Sequence, residues 1–219
     1  MTGDMCTELV MQLHELDSVE DAVQAIAEGV LLTTAAEQSA VLLSDRGAGL
    51  ALAASTGQIA TEAARLQLDT MAGPNVSALN HGCDCLVADT SRELRWPAWS
   101  AEVAKLPVRS TLALHMTARH QAVGTLLLVN SSPYQFSTVD AMLAGTFARH
   151  AASALQCVRR AAGLHEDIGG RTVIGQAQGI LMERMSLTGD EAFELLKRTS
   201  RRNGINLREL AEQLTTPAS

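Results

Sequence analysis

The spacing of apolar residues changes near Ser137, and this change constrains the fold more than any other feature of the sequence. Before it, apolar residues form short runs such as 40–43 and 122–129, which are typical of β-strands and far too short to cross a bilayer. After it, they recur at intervals of three and four residues, as on one face of an α-helix. We therefore expect an α+β protein with a sheet-containing part followed by an all-helical part.

The first part is predicted to form an antiparallel sheet flanked by helices. An amphipathic helix begins near Ser18, where capping and acidic residues precede an apolar stripe. Five short runs predict strands, at residues 40–43, 50–54, 85–88, 110–116 and 122–129. The polar links 44–49 and 118–121 are short enough for hairpins.

A long helix is predicted to follow the sheet. Ser137 and Asp140 form a capping-box pattern, and helical spacing continues for about six turns. Such a helix either packs on its own sheet or pairs with a second copy. The pattern weakens at 161–163 and again at 169–170, so we place a domain boundary there, giving domains 1–160 and 161–219.

Three short amphipathic helices are predicted in the second domain. The first covers 172–185, Thr188 and Glu191 cap the second, and Asn206 and Glu209 cap the third. Helices this short bury little surface alone, so they need one another or a partner.

Charge is distributed unevenly along the chain. The net charge is −7, which as a whole repels nucleic acid. From His165 onward the sequence contains seven Lys/Arg and eight Asp/Glu, which gives this segment a net charge of −1. Residues 1–164 therefore carry a net charge of −6. A nearly neutral segment with clustered arginines can still bind phosphates locally.

That cluster is Arg198, Arg201 and Arg202. On a helix, spacings of three and four residues place these side chains on one face, where they repel one another. An anion would remove the repulsion, and the planar guanidinium suits phosphates and base edges. A solvated helix C-terminus, where cations complement the dipole, explains the same pattern equally well.

Gly175 and Gly179 lie inside a predicted helix, where each costs about 1 kcal/mol relative to alanine. Close approach of another backbone is one reason to keep them, and either a neighbouring helix or a nucleic-acid strand fits.

Catalysis and metal binding find little support. The sequence has no Gly-x-Ser-x-Gly, Walker or His-Glu-x-x-His motif. The spacing of Cys83 and Cys85 is too tight for tetrahedral zinc, and no basic neighbour in sequence lowers a thiol pKa. We expect no enzyme, no metal and no cofactor.

The C-terminal part resembles the ANTAR family of RNA-binding antiterminators. The matching positions are Arg171-x-x-Ile174-x-x-Ala177-x-Gly179-Ile180-Leu181-Met182, Asp190-Glu191-Ala192-Phe193-x-x-Leu196-x-Arg198-x-Ser200, Asn203, Leu207 and Ala211. One departure is Ile168-Gly169-Gly170, which precedes the arginine where family members often have a continuous helix. We expect it to loosen the junction or to form a hinge.

The first part resembles a GAF domain of actinobacterial GAF–ANTAR regulators. The matching stretches are Ala72-Gly73-Pro74-x-x-x-Ala78-Leu79, Asp89 with Arg95-Trp96-Pro97, Val108-Arg109-Ser110, and Gly124-Thr125-Leu126 followed by Phe136. The segment lacks the aromatic residues that would line a cyclic-nucleotide pocket and an identifiable haem ligand, so the resemblance leaves its small ligand unidentified.

The resemblance implies a cytoplasmic homodimer that binds nascent RNA at two stem-loops with hexanucleotide loops. Binding excludes the terminator hairpin, so RNA polymerase is affected only indirectly. By similarity the RNA contacts are Arg171, Gln178, Arg198, Ser200, Arg201, Arg202 and Asn203, while Gly175, Ala177 and Gly179 let RNA approach the helix. Phe193, Leu196 and Leu210 would hold the bundle together, and residues 137–161 would form the dimer helix.

The rival hypothesis is a ligand-sensing module that docks a protein and binds no nucleic acid. The acidic net charge favours it slightly.

Overall fold

A computed structural model describes Leu16 and residues 18–45, 49–203 and 205–215; the side chains of 45, 162–172 and 208 lie outside the description. Contacts along the chain divide it into two compact units, Met1–Arg160 and Ala161–Ser219. No helix in the described ranges is both long enough and apolar enough to span a membrane.

The first unit is built on a five-stranded antiparallel sheet. Its strands are β1 (Gln38–Asp45), β2 (Gly49–Ser55), β3 (Cys85–Val87), β4 (Ser110–Ala118) and β5 (Gln121–Asn130), in the order β2-β1-β5-β4-β3. All five predicted strands are confirmed, and the α+β class with them. The two predicted hairpins are β1–β2 and β4–β5.

Two backbone features shape the central strands, namely the turn between β4 and β5 and a glycine where β5 lies against β1. The β4–β5 turn is made by Arg119 and His120, whose φ angles of 50° and 63° lie in the left-handed region. At Gly124, an added methyl group would overlap the carbonyl oxygen of Leu42 on β1. Glycine is therefore required at this position, where β5 pairs with β1.

One face of the sheet is covered by α1 (Val19–Leu31) and the first turns of α5 (Thr138–Met185). Ser18 caps α1 by accepting the Asp21 amide at 3.0 Å, as its position predicts. Ile26 and Phe147 are fully buried against the sheet residues Leu114 and Leu126. Burying apolar side chains of this size contributes about 1.5–3 kcal/mol each.

The other face carries α2 (Gln58–Thr70), α3 (Pro74–His81) and α4 (Pro97–Val103). Trp99 of α4 is completely buried in an apolar cluster with Val103 and Leu127. A polar network also crosses this face. The Asn75 amide nitrogen Nδ2 donates to Thr125 Oγ1 at 2.9 Å, and Gln67 Nε2 donates to Asn75 Oδ1 at 3.0 Å.

Helix α5 begins at the predicted capping box, where the Ser137 amide donates to the Asp140 carboxylate at 2.8 Å. The helix then runs without a break for 48 residues. The break in helical structure that the pattern at 161–163 and 169–170 predicts is therefore wrong, whereas the expected hinge stays a prediction. Ala161 and Ala162 are good helix formers, and glycines leave the backbone hydrogen bonds intact at about 1 kcal/mol each.

The second unit adds α6 (Gly189–Asn203) and α7 (Leu207–Thr215) to the end of α5. The Thr188–Glu191 capping box is confirmed, with the Thr188 amide donating to Glu191 Oε2 at 2.8 Å. The apolar core is small and comprises Ala177, Leu196, Leu210 and Ala211 with partly buried neighbours. Three helices thus share one core, as their short stripes predict.

Candidate nucleic-acid interface

The arginine face of α6 points away from the core of the second unit. Ala192 and Leu196 are the buried residues of this helix, whereas Arg198, Arg201 and Arg202 are all exposed. At 100° per residue these three side chains span about 100° of the helix surface opposite the buried stripe. We call them the arginine face.

The arginine face is only weakly compensated by charge in the described part of the chain, through Glu194 near Arg201. None of its three residues forms an ion pair with a described carboxylate, whereas Lys197 pairs with Glu194 at 2.8 Å. The pKa of Glu194 lies below its ordinary value, chiefly through its hydrogen bond from Lys197 and only last through Arg201. The arginines therefore repel one another and leave their donors available to an external anion.

The start of the same helix has the opposite charge. Asp190 and Glu191 occupy its first turn, and hydrogen bonds from Thr188 hold the pKa of Glu191 below its usual value. Acids at the start and arginines at the end both complement the helix dipole. The geometry thus fits the solvated-terminus interpretation as well as an anion site.

Gly175 and Gly179 form an open strip on α5. Both are exposed, and a methyl group added at either position would meet no atom within 4 Å outside its own stretch of helix. Packing against another helix therefore does not account for these glycines among the described residues. The strip remains accessible to a backbone from outside the chain.

Ala177 does not lie on the exposed glycine strip, so its predicted RNA contact needs correction. It is fully buried against the bundle core, because it follows Gly175 by two residues and so faces roughly the opposite side of the helix. An internal position excludes contact with RNA in this conformation. Ala177 is a core residue.

Two other predicted contacts hold the bundle together. Gln178 Nε2 donates to the Gly189 carbonyl at 2.6 Å and ties α5 to the start of α6. The Ser200 hydroxyl donates to the Ile205 carbonyl at 2.7 Å beyond the end of α6. Both side chains are half-buried, whereas Asn203 is exposed on the last turn of α6; the side chain of Arg171 lies outside the description.

Leu196 and Leu210 are buried in the bundle as the resemblance implies, but Phe193 is not part of its core. Its ring is half-buried and lies 4.5 Å from Lys197 Nζ, a cation–π contact. Position 193 follows the buried Ala192 by one residue, which turns its side chain about 100° toward the edge of the bundle.

Sequence reasoning missed a cavity of about 370 Å³ beside Arg198. Its apolar floor is formed by Met185, Leu187 and Leu195, and its rim includes Glu191. Met185 is 56% exposed because α5 ends there and Ser186 turns the chain with φ 56°. The periodicity of one helix does not show where the next helix packs.

Cys85 has the basic neighbour that the sequence did not reveal. Arg95 Nη1 lies 3.5 Å from its sulfur, brought there by the loop after β3. Burial is nevertheless the largest influence, and it raises the pKa of the Cys85 thiol. Among the described residues no cluster of His, Cys, Asp or Glu is arranged to hold a metal ion.

A sheet-containing unit followed by a three-helix unit defines a two-domain α+β protein. The chain belongs to the GAF domain family, which matches residues 18–157, and residues 162–214 match the ANTAR domain. The chain is therefore an RNA-binding antitermination regulator with a sensory module, and both domains are regulatory rather than catalytic.

Solved structures share the fold of the first unit. The GAF domain of a phosphoenolpyruvate-protein phosphotransferase from Coxiella burnetii has a TM-score of 0.61 and 15% identity, covering 74% of this chain and 96% of that one. A free methionine-R-sulfoxide reductase from Neisseria meningitidis has a TM-score of 0.58 and 17% identity, covering 73% and 91%. Identities this low show the fold alone. Curated proteins yield no significant match.

Proposed function

We propose that this protein is a cytoplasmic homodimer that binds two stem-loops with hexanucleotide loops in nascent transcripts. Residues 161–219 hold the RNA so that the terminator hairpin does not form, and RNA polymerase is affected only through the transcript. Residues 1–160 receive a signal from a small ligand. The observation that carries this proposal is the exposed arginine face, on a domain whose family binds RNA.

Loop recognition agrees with the chemistry of the arginine face. Single-stranded loops splay their bases, which guanidinium and amide groups read by hydrogen bonds, while the stems present phosphates. Arg198, Arg201, Arg202 and Asn203 supply such donors on one end of α6. The open glycine strip of α5 supports close approach of the RNA backbone.

Dimer formation is supported by an apolar stripe at the start of α5. Val139 is 63% exposed, Met142 68% and Leu143 39%, and they recur at helical spacing. Large apolar side chains clustered on a surface are typical of a protein contact. A second copy of the same helix would cover them symmetrically.

The first experiment measures RNA binding by the double variant Arg198→Gln/Arg202→Gln. Each charge-assisted hydrogen bond to RNA contributes about 1.5–3 kcal/mol, so affinity for a dual hexaloop RNA should fall at least about tenfold. Fluorescence anisotropy at fixed salt gives the affinity. Thermal unfolding should change little, because both side chains are exposed and their mutual repulsion is removed.

Arg65→Gln is the matched control, since Arg65 is an exposed arginine on α2 in the other unit. It should bind RNA like the wild type. Equal affinity of the double variant and the wild type would remove the arginine face from the site. No RNA binding by the wild type at low salt would favour the protein-docking alternative, for which the 370 Å³ cavity with its apolar floor is the supporting observation.

A further inference from the structure

Two neighbouring cavities form one groove at the end of the sheet in the first unit. The larger, about 250 Å³, lies between the start of β5 and α5 and is lined by Ser44, Gln121, Gln156 and Arg160, among others. The smaller, about 140 Å³, extends it toward Arg119 and also includes Gln156 and Arg160. We call this the hairpin groove.

The described lining of the hairpin groove carries positive charge, whereas residues 1–164 as a whole carry a negative net charge. Its charged lining residues in the described part of the chain are all arginines, Arg119, Arg159 and Arg160. Residues 1–164 nevertheless carry a net charge of −6. Arg119 and Arg160 are exposed, and neither forms an ion pair with a described carboxylate. The groove is therefore a local site of positive potential.

The backbone of the turn beside the groove is held in an unfavourable conformation. Arg119 and His120 both have positive φ, at the two positions of a hairpin turn that usually carry Asn and Gly. A left-handed conformation costs a non-glycine residue about 1 kcal/mol or more. Arg119, which lines the groove, is kept where a smaller residue would stabilise the turn better, and this indicates a use for its charge.

Polarity and openness identify the ligand chemistry. Guanidinium, amide and hydroxyl groups line both cavities, and the groove is open to solvent rather than enclosed. Exposed arginine forks on an open groove suit the oxygens of a phosphodiester backbone that passes across it. We infer that the hairpin groove binds backbone phosphates of the same RNA, outside the stem-loop contacts of the ANTAR domain; this inference rests on the proposed function.

The test is the salt dependence of RNA binding by the full-length protein. The variant Arg119→Gln/Arg160→Gln should lower the slope of log affinity against log salt concentration by about 0.7–0.9 for each phosphate that the protein no longer neutralises. Its affinity should fall by the same factor for the dual hexaloop RNA and for an RNA of equal length with scrambled loops. A phosphate contact carries no sequence information, so specificity should stay unchanged.

Two further variants make the result interpretable. Gln156→Glu places a negative charge in the groove without removing an arginine, and it should weaken binding of both RNAs. Arg65→Gln removes an exposed arginine far along the chain and should leave the slope unchanged. Circular dichroism and thermal unfolding confirm that each variant is folded.

The outcomes separate this inference from the proposed function. If Arg198→Gln/Arg202→Gln weakens binding while the groove variant keeps the wild-type slope, the inference is overturned and the proposed function stands. If wild-type protein binds no RNA, both fail. Inorganic pyrophosphate and ATP are tested by thermal shift: stabilisation that is absent in the groove variant, together with an unchanged RNA slope, would assign the groove to a small anion and overturn the inference.

Discussion

Arg95 connects several parts of the loop between β3 and α4 through its guanidinium group. Its Nη2 lies 2.6 Å from Glu93 Oε2 and donates to the Leu86 carbonyl at 2.9 Å, while its guanidinium lies 4.5 Å from the Trp96 ring centroid. Pro97 is the first residue of α4, where a backbone amide would have no hydrogen-bond partner within the helix. This loop is a structural clamp between β3 and α4.

Replacing Glu93 by Gln tests the clamp through its pH dependence. The hydrogen bond from Arg95 holds the pKa of Glu93 below its ordinary value, so the ionised pair stabilises the native state at neutral pH. That stabilisation disappears as the pH falls through the lowered pKa. We expect Glu93→Gln to unfold about 1 kcal/mol more easily in urea at pH 7, with the difference shrinking as the pH falls through the lowered pKa of Glu93.

Glu102→Gln provides the comparison. Glu102 pairs with Lys105 at 2.7 Å, but its side chain is 43% exposed, whereas that of Glu93 is 8% exposed. Exposed pairs contribute about 0.2–1 kcal/mol, so this variant should be close to the wild type. Equal destabilisation of both variants, or a Glu93 effect independent of pH, would contradict the role given to Arg95.

At the level of single elements, the end of α5 packs into the bundle core on one side and leaves its backbone exposed on the other. Ala177 is buried in the bundle, while Gly175 and Gly179 leave the other side bare. Alanine at the bare positions would suit the helix better, because glycine lowers helix stability. We expect an external backbone to approach the helix at these glycines.

Gly175→Ala and Gly179→Ala separate stability from binding. Each methyl group points into open space, so each variant should raise the free energy of unfolding of the second unit by roughly 0.5–1 kcal/mol. If RNA approaches this strip, affinity should fall by about tenfold despite the higher stability. Urea unfolding and anisotropy measure the two effects, and unchanged affinity in both variants would place the RNA elsewhere.

At the scale of the whole molecule, self-association is the property that the apolar stripe of α5 predicts. The variant Val139→Asp/Met142→Asp should shift the protein from dimer to monomer in sedimentation velocity, because an aspartate buried at a symmetric contact faces its own copy. Both side chains are exposed in the single chain, so folding should persist.

Leu94→Asp is the control for this measurement. Leu94 is 85% exposed and lies far from α5 in sequence, so its replacement should leave the sedimentation coefficient unchanged. Wild-type protein that sediments as a monomer, or a stripe variant that stays dimeric, would refute residues 137–161 as the dimer helix.

What the sequence determined by itself is local. Capping at Ser18, Ser137 and Thr188 marked the starts of three helices, because a cap needs only residues within one turn. Short apolar runs likewise predicted all five strands, and ordered motif positions predicted the ANTAR and GAF domains. The continuity of α5 was missed because glycines weaken the local signal without breaking the helix.

Contacts between residues that lie far apart in the chain depend on how the elements pack against one another. The tertiary structure placed Arg95 against Cys85, buried Ala177 beneath the other two helices of the bundle, and brought Arg119 of a hairpin beside Arg160 of a helix. Pairs like Arg119 and Arg160 are about forty residues apart in the chain. Periodicity gives the face that a residue occupies on its own element, whereas packing between elements decides whether that face is core or surface.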